Sequence, residues 1–191
     1  MKAYPKQQIQ MKKVGMILAG SLFSLATMAQ TVQVGSEAMY PAKNIVENAV
    51  KSKSHTTLVA AVQAAGLVET LQTAGPFTVF APVNDAFENL PAGTVETLLK
   101  PENKATLAKI LTYHVVAGKL DFDGISAEIK AGKGKATLKT VSGGTLTALM
   151  NGSKNIILQD ENGNTANIST YDVYQKNGVI HVIDAVVLPK M

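Results

Sequence analysis

Cysteine is absent from this chain, and so is arginine. Without Cys there is no disulfide staple, no thiolate metal site and no thiol for lipid attachment behind a leader, so the fold rests on its core alone. Without Arg there is no bidentate grip on phosphate or base edges. All 18 basic residues are lysines, and four of them (Lys2, Lys6, Lys12, Lys13) precede residue 30, whereas all 14 acidic residues follow it. The formal charge of +4 therefore belongs to the N-terminal segment, and the remainder is balanced. Nucleic acid is not an expected partner. A Gly-rich phosphate loop, a Gly-x-Ser-x-Gly elbow and a closely spaced carboxylate pair are also missing, so neither enzymatic activity nor a cofactor is expected.

What is there begins with Met11, Lys12 and Lys13 ahead of an apolar run from Val14 to Leu25, followed by Thr27-Met28-Ala29. This is the layout of a secretory signal peptide over residues 1–29, cleaved before Gln30. The run is short for a bilayer span, so no stable membrane span is expected after processing. Residues 1–10 add nothing to the pattern, which makes Met11 an alternative start. Residues 30–41 read as an N-terminal linker. The rest is long enough for one domain, since about 150 residues bury roughly 68–70% of the unfolded surface.

Helical periodicity dominates the first half. Ile45, Val46, Ala49 and Val50 share one face; Leu58, Ala61, Val62 and Ala65 share another, with Thr56 or Thr57 as cap and Gly66 as terminator. Phe77 to Phe80 reads as a short strand that Pro82 stops, because proline has no N–H for the ladder. Asn84 or Asp85 is then placed to cap a new helix carrying Ala86, Phe87 and Leu90. Further helices are expected after Thr94 and Pro101, before an extended stretch through Tyr113, His114, Val115 and Val116. Beyond Gly118 the texture is that of hairpins: Gly143-Gly144, Asn151-Gly152, Asn162-Gly163 and Asn177-Gly178 punctuate runs of β-prone residues. From Val179 to Leu188 both alternating faces are apolar, which predicts a central strand covered on both sides.

Three segments in order, TVFAPVNDAF (78–87), YHVV (113–116) and NGVIHVIDAVVLP (177–189), resemble the fasciclin (FAS1) domain, and the resemblance covers residues 42–190. It implies an α/β (α+β) fold: a β-sheet wedge with several short helices packed at one side. It also implies a secreted adhesion or interaction module. Animal members that this sequence resembles use a Tyr-His motif with branched aliphatics for integrin adhesion. Tyr113, His114, Val115 and Val116 match its core, while the Asp-Ile motif that accompanies it has no clear counterpart.

The same four residues suit a buried strand, with Tyr and His each hydrogen-bonded inside. His55, His114 and His181 lack the i, i+4 spacing of a helical zinc site, so structural roles are expected and no metal. Asp184, in an otherwise apolar strand, needs partners. Backbone amides or hydroxyls of the loop around Asn84 are the expected ones. DENGN (160–164) reads as a hairpin turn, because its Gly163 stands fourth where a calcium loop needs it sixth.

The function expected is therefore a secreted, non-enzymatic module at the cell surface, outside the cell or in the periplasm, binding an extracellular or cell-surface protein or glycan. Pro82, Asn84, Asp85, His181 and Asp184 are its structural motif. The alternative is a carrier or sensor that binds a small ligand, glycan or lipid in the wedge between sheet and helices. An apolar cavity with polar groups would favour the alternative; a filled core with an exposed patch would favour a macromolecular partner.

Overall fold

The structure, a computed structural model, describes residues 31–190. The expected signal segment and the alternative start at Met11 lie outside the described residues. The expected linker is instead a small hairpin, β1 (Val32–Val34) and β2 (Glu37–Met39), because Val34 and Met39 are apolar and find a core to enter.

The helix α1 (Ile45–Ala49) starts at a capping box: Asn44 accepts the Glu47 amide at 2.9 Å, and the Glu47 carboxylate accepts the Asn44 amide at 2.7 Å. Its inward residues are Ile45 and Asn48, while Val50, expected on the buried face, is exposed. Asn48 is held there by the Tyr40 backbone, accepting from its amide and donating to its carbonyl, and by the Gln175 side chain. The next helix, α2 (Thr56–Ala65), ends at Gly66 with φ +72, as the sequence predicts. Short α3 (Val68–Gln72) then leads into strand β3 (Phe77–Pro82), which is followed by α4 (Asn84–Glu88) and α5 (Thr94–Leu98).

The helix α6 (Lys104–Tyr113) runs further than its sequence suggests. Tyr113 is its last residue and His114 its C-cap, so the extended stretch shrinks to β4 (Val115–Ala117). A seventh helix, α7 (Phe122–Ala131), occupies a region expected to hold hairpins. Asp121 caps it by accepting the Gly124 amide at 2.9 Å, and Ile125 and Ile129, one turn apart, are fully buried.

Strands β5 (Lys135–Lys139), β6 (Thr145–Asn151), β7 (Asn155–Gln159), β8 (Thr165–Gln175) and β9 (Gly178–Ile183) complete a seven-stranded sheet, ordered β4-β3-β9-β8-β7-β6-β5. Among the described strands, only β3 and β9 pair in parallel. The two edges meet through a Val116–Thr140 bridge and a 2.7 Å bond from the Val141 amide to the Val115 carbonyl. The sheet thereby curls towards a barrel, which covers edges that would otherwise template aggregation.

Strand β9 is buried at every position, in agreement with its two apolar faces, but it ends at Ile183, whereas the sequence suggests a strand running to Leu188. Ile183 and His181 look into the curled sheet, among Phe80, Leu146, Ile156 and Leu158; Ile180 and Val182 face the helical layer, with Leu58, Leu107 and Leu111. Each such aliphatic side chain contributes roughly 1.5–3 kcal/mol by leaving water. Gly178 opens the strand because a Cβ there would lie 2.1 Å from the Phe77 carbonyl oxygen, which parallel pairing holds in place.

Candidate functional site

The strand–helix junction puts the expected motif residues together, though not in the expected partnerships. Pro82 is the last residue of β3, in register with Ile183, and the chain continues as helix α4 with Val83 as N-cap. Asn84 does not cap that helix. Its side-chain oxygen accepts the Thr57 amide at 3.1 Å and the Thr56 hydroxyl at 3.2 Å, and its Nδ2 donates to the Lys53 carbonyl at 2.8 Å. The residue therefore caps α2 from across the fold. Asp85 is exposed in the first turn of α4, where its charge suits the helix dipole.

Asp184 is exposed rather than enclosed, because β9 ends one residue before it. Its carboxylate accepts the Asn167 amide at 2.7 Å and the Asn167 Nδ2 at 2.8 Å, so it holds β8 and has no bond to the loop around Asn84. The demanding buried carboxylate is Asp160. Its oxygens accept from the amides of Asn162, Asn164 and Leu188 at 2.9–3.0 Å and from Asn164 Nδ2 at 3.1 Å. Four donors replace its lost water. Sequence reasoning read this loop as a turn and missed that its first residue anchors the C-terminal segment.

Tyr113, His114, Val115 and Val116 are all buried. The Tyr113 hydroxyl donates to the Thr145 carbonyl and accepts the Glu161 amide at 3.2 Å. Burial pushes its ionisation up to about 12. Among the described residues, no three His, Asp or Glu side chains group as a metal site.

The two inner histidines hold opposite tautomers. His114 Nδ1–H donates to the Ile110 carbonyl at 2.9 Å, and Nε2 accepts the Val187 amide at 3.3 Å. His181 is reversed: Nε2–H donates to the Leu120 carbonyl at 2.8 Å, and Nδ1 accepts the Asp172 amide at 3.4 Å. Carbonyls cannot donate and amides cannot accept, so both rings are neutral. Burial holds His114 down to about 4 and lowers His181 as well.

The helical layer does not fill its side of the sheet. A cavity of about 360 Å³ lies over β3 and β9, roofed by α1, α2 and α3 and lined by Leu58, Val62, Leu71, Val79, Val173 and Ile180. A second, of about 390 Å³, lies between α4, α5, α6 and the C-terminal segment, lined by Phe87, Leu98, Leu107 and Leu188. Leu111 and His114 border both. At about 24 cal/mol per Å³, the first would cost on the order of 9 kcal/mol if it were dry, closed and empty, an upper figure because its mouth is open. Even a fraction of that is large against a typical stability of about 5–15 kcal/mol.

Exposed large apolar side chains are few among the described residues: Tyr40, Val50 and Val141, the latter two at the first cavity. By contrast, the outward face of β5–β8 carries no helix among the described residues. Lys135, Leu149, Ile157 and Asn167 form one cross-strand row on it, and Thr137, Thr147, Gln159 and Thr165 the next. No described helix is long and apolar enough to cross a membrane.

Comparison with known proteins agrees with this architecture. The Fasciclin domain family matches residues 53–189. Protein sll1483 of Synechocystis is 46% identical over 171 residues, spanning 90% of this chain and 87% of that protein. The pig transforming growth factor-beta-induced protein ig-h3 is 40% identical over 69% of this chain, which spans only 17% of it. The cell surface glycolipoprotein MPB83 of Mycobacterium bovis is 31% identical, over 87% of this chain and 64% of its own length. In structure, the chain is similar to a FAS1 domain pair from the insect cell adhesion molecule Fasciclin I, with a TM-score of 0.66 at 16% identity, covering 76% of this chain and about half (51%) of the pair. A curled sheet with its parallel β3–β9 pair, a helical layer on one side and a family match over most of its length make this chain a member of the Fasciclin domain family.

Proposed function

We propose that the protein is a non-enzymatic adhesion or interaction module, secreted or held at the cell surface, that binds a cell-surface or extracellular protein or glycan through the outward face of β5–β8. The observation that carries this reading is the uncovered face itself. Four antiparallel strands present two registered rows of Thr, Asn, Gln and Lys around the half-buried Leu149 and Ile157. Such a surface offers hydrogen-bonding groups on a rigid frame with a small apolar centre, as interfaces of the non-obligate kind do. The family's usual role as an adhesion or interaction module supports it, as does the cell-surface description of the mycobacterial relative.

The buried Tyr113-His114 motif suits this role poorly, since contact with a receptor would first require the domain to open. The test is saturable binding of the immobilised protein to surface and extracellular material of the producing cells. Thr147→Lys combined with Gln159→Lys is expected to abolish it with only a small fall in melting temperature from the two like charges placed opposite each other, whereas Tyr113→Phe lowers the melting temperature and leaves binding intact. Binding that survives the double lysine variant would refute the assignment of this face.

A further inference from the structure

Three asparagines precede a glycine: Asn151-Gly152, Asn162-Gly163 and Asn177-Gly178. Asparagine is a chemically labile side chain, most of all before glycine, which puts no Cβ in the way when its own nitrogen closes on the asparagine Cγ. The three pairs are alike in sequence, but the fold holds them very differently.

Asn177 is 5% exposed and fully engaged: its side-chain oxygen accepts the Ile45 amide at 3.0 Å, and its Nδ2 donates to the Leu71 and Thr73 carbonyls at 2.8 and 2.9 Å. Gly178 beside it is buried, in register with Phe77 and Gln175. Asn162 is exposed, yet its Nδ2 donates to the Leu188 carbonyl at 2.9 Å and the following Gly163 amide donates to the Asp160 carbonyl at 3.1 Å. Asn151 has neither restraint. It is the exposed last residue of β6, its side chain makes no hydrogen bond among the described residues, and the Gly152 amide donates to none of their carbonyls. The space around Gly152 is open, so nothing packs against the path of ring closure.

We propose that Asn151 is a site of spontaneous modification, converting in the folded protein to aspartate and isoaspartate ahead of the other two. The Gly152 nitrogen gives up its proton and bonds to the Asn151 Cγ; the Cγ–Nδ2 bond breaks, and Nδ2 leaves as ammonia with that proton. Water then opens the cyclic imide, at Cγ to give aspartate or at the main-chain carbonyl carbon to give isoaspartate. One water enters and one ammonia leaves, so no enzyme, oxidant or further reactant is needed. The new carboxylate is ionised at neutral pH. It stands on the outward side of β6, two residues beyond Leu149, where it adds a negative charge to the face of β5–β8, and the isoaspartate form also lengthens the backbone where β6 turns into β7. The chemistry does not depend on what that face binds.

The experiment is incubation of the purified protein in mildly alkaline buffer, followed over time by lysine-specific digestion and mass spectrometry, with an unincubated sample as baseline. Cleavage after Lys139, Lys154, Lys176 and Lys190 puts each pair on its own peptide, and fragment spectra place the change within the one that holds Asn162. The Asn151 peptide should convert first and become a substrate for isoaspartate-specific carboxyl methylation. Asn177 should convert at least about a hundredfold more slowly, because three hydrogen bonds must open before its side chain is free. In concentrated urea the three rates should converge, since only the fold separates them. Asn151→Gln, which would have to close a larger ring, should remove the early conversion and leave the other two peptides unchanged. Conversion of Asn162 or Asn177 as fast as Asn151 in the folded protein would overturn the assignment, and so would an order that persists in urea.

Discussion

The Asn84 side-chain oxygen accepts the Thr57 amide at 3.1 Å, so the residue that opens one helix caps another that lies 27 positions earlier. Helix α2 has no side-chain cap of its own, since its N-cap position is His55. The contact ties the end of β3 to the start of α2, and with it the wall of the cavity over β3 and β9.

Asn84→Ala is expected to destabilise the domain by about 1–2 kcal/mol, the usual effect of losing a helix cap. For a domain of this size that is a fall of roughly 2–8 °C in melting temperature. Asn84→Asp retains the acceptor for Thr57 and loses the donation to Lys53, so its midpoint in chemical denaturation should lie between those of the parent and Asn84→Ala. If Asn84→Ala melts with the parent, the cap is not supporting α2.

The two carboxylates near the C-terminus should differ in weight. Asp160 is buried and satisfies four donors from two segments; Asp184 is exposed and satisfies two donors from one residue. Asp160→Ala leaves buried amides unpaired and should cost about 2–4 kcal/mol, while Asp184→Ala should cost about 1 kcal/mol, because water replaces the lost bonds. Urea denaturation of both variants checks the order. A larger loss for Asp184→Ala would mean that β8 and the chain after β9 are held differently.

How far the sequence discloses this fold follows from the range of each signal. The αL glycine at Gly66, the doubly apolar β9 and the turns at Asn151-Gly152 and Asn162-Gly163 are local, and they are legible because the residue itself requires the conformation. Helix α7 was missed, although Asp121 followed by Ile125 and Ile129 signals it, because glycines on both sides mask its short period. The partners of Asn84, Asp160 and Asp184 were not, since each is chosen by tertiary placement and any nearby amide suits a side-chain oxygen equally. The cavity over β3 and β9 is likewise invisible in one dimension: leucines and valines that surround a void read the same as those that fill a core.

The histidines give the folded state a defined acid limit. In the unfolded chain an imidazole takes its proton near pH 6.5, whereas burial holds folded His114 down to about 4 and lowers His55 and His181 too. The unfolded state thus binds more protons between these values. The stabilisation is fully present above about pH 6.5 and is lost progressively as the pH falls towards 4. For His114 alone this is on the order of 3 kcal/mol, with the others adding in the same direction. Melting temperature should therefore fall steadily from pH 7 to pH 4, and the part of the fall above about pH 5 precedes most carboxylate protonation. His114→Gln preserves an acceptor and a donor without titrating, and should flatten part of that slope. Nitrogen-15 spectra of the rings give an independent check. His114 should appear as the Nδ1–H form and His181 as the Nε2–H form, both neutral at pH 6, and a charged His114 at that pH would remove the basis for this acid limit.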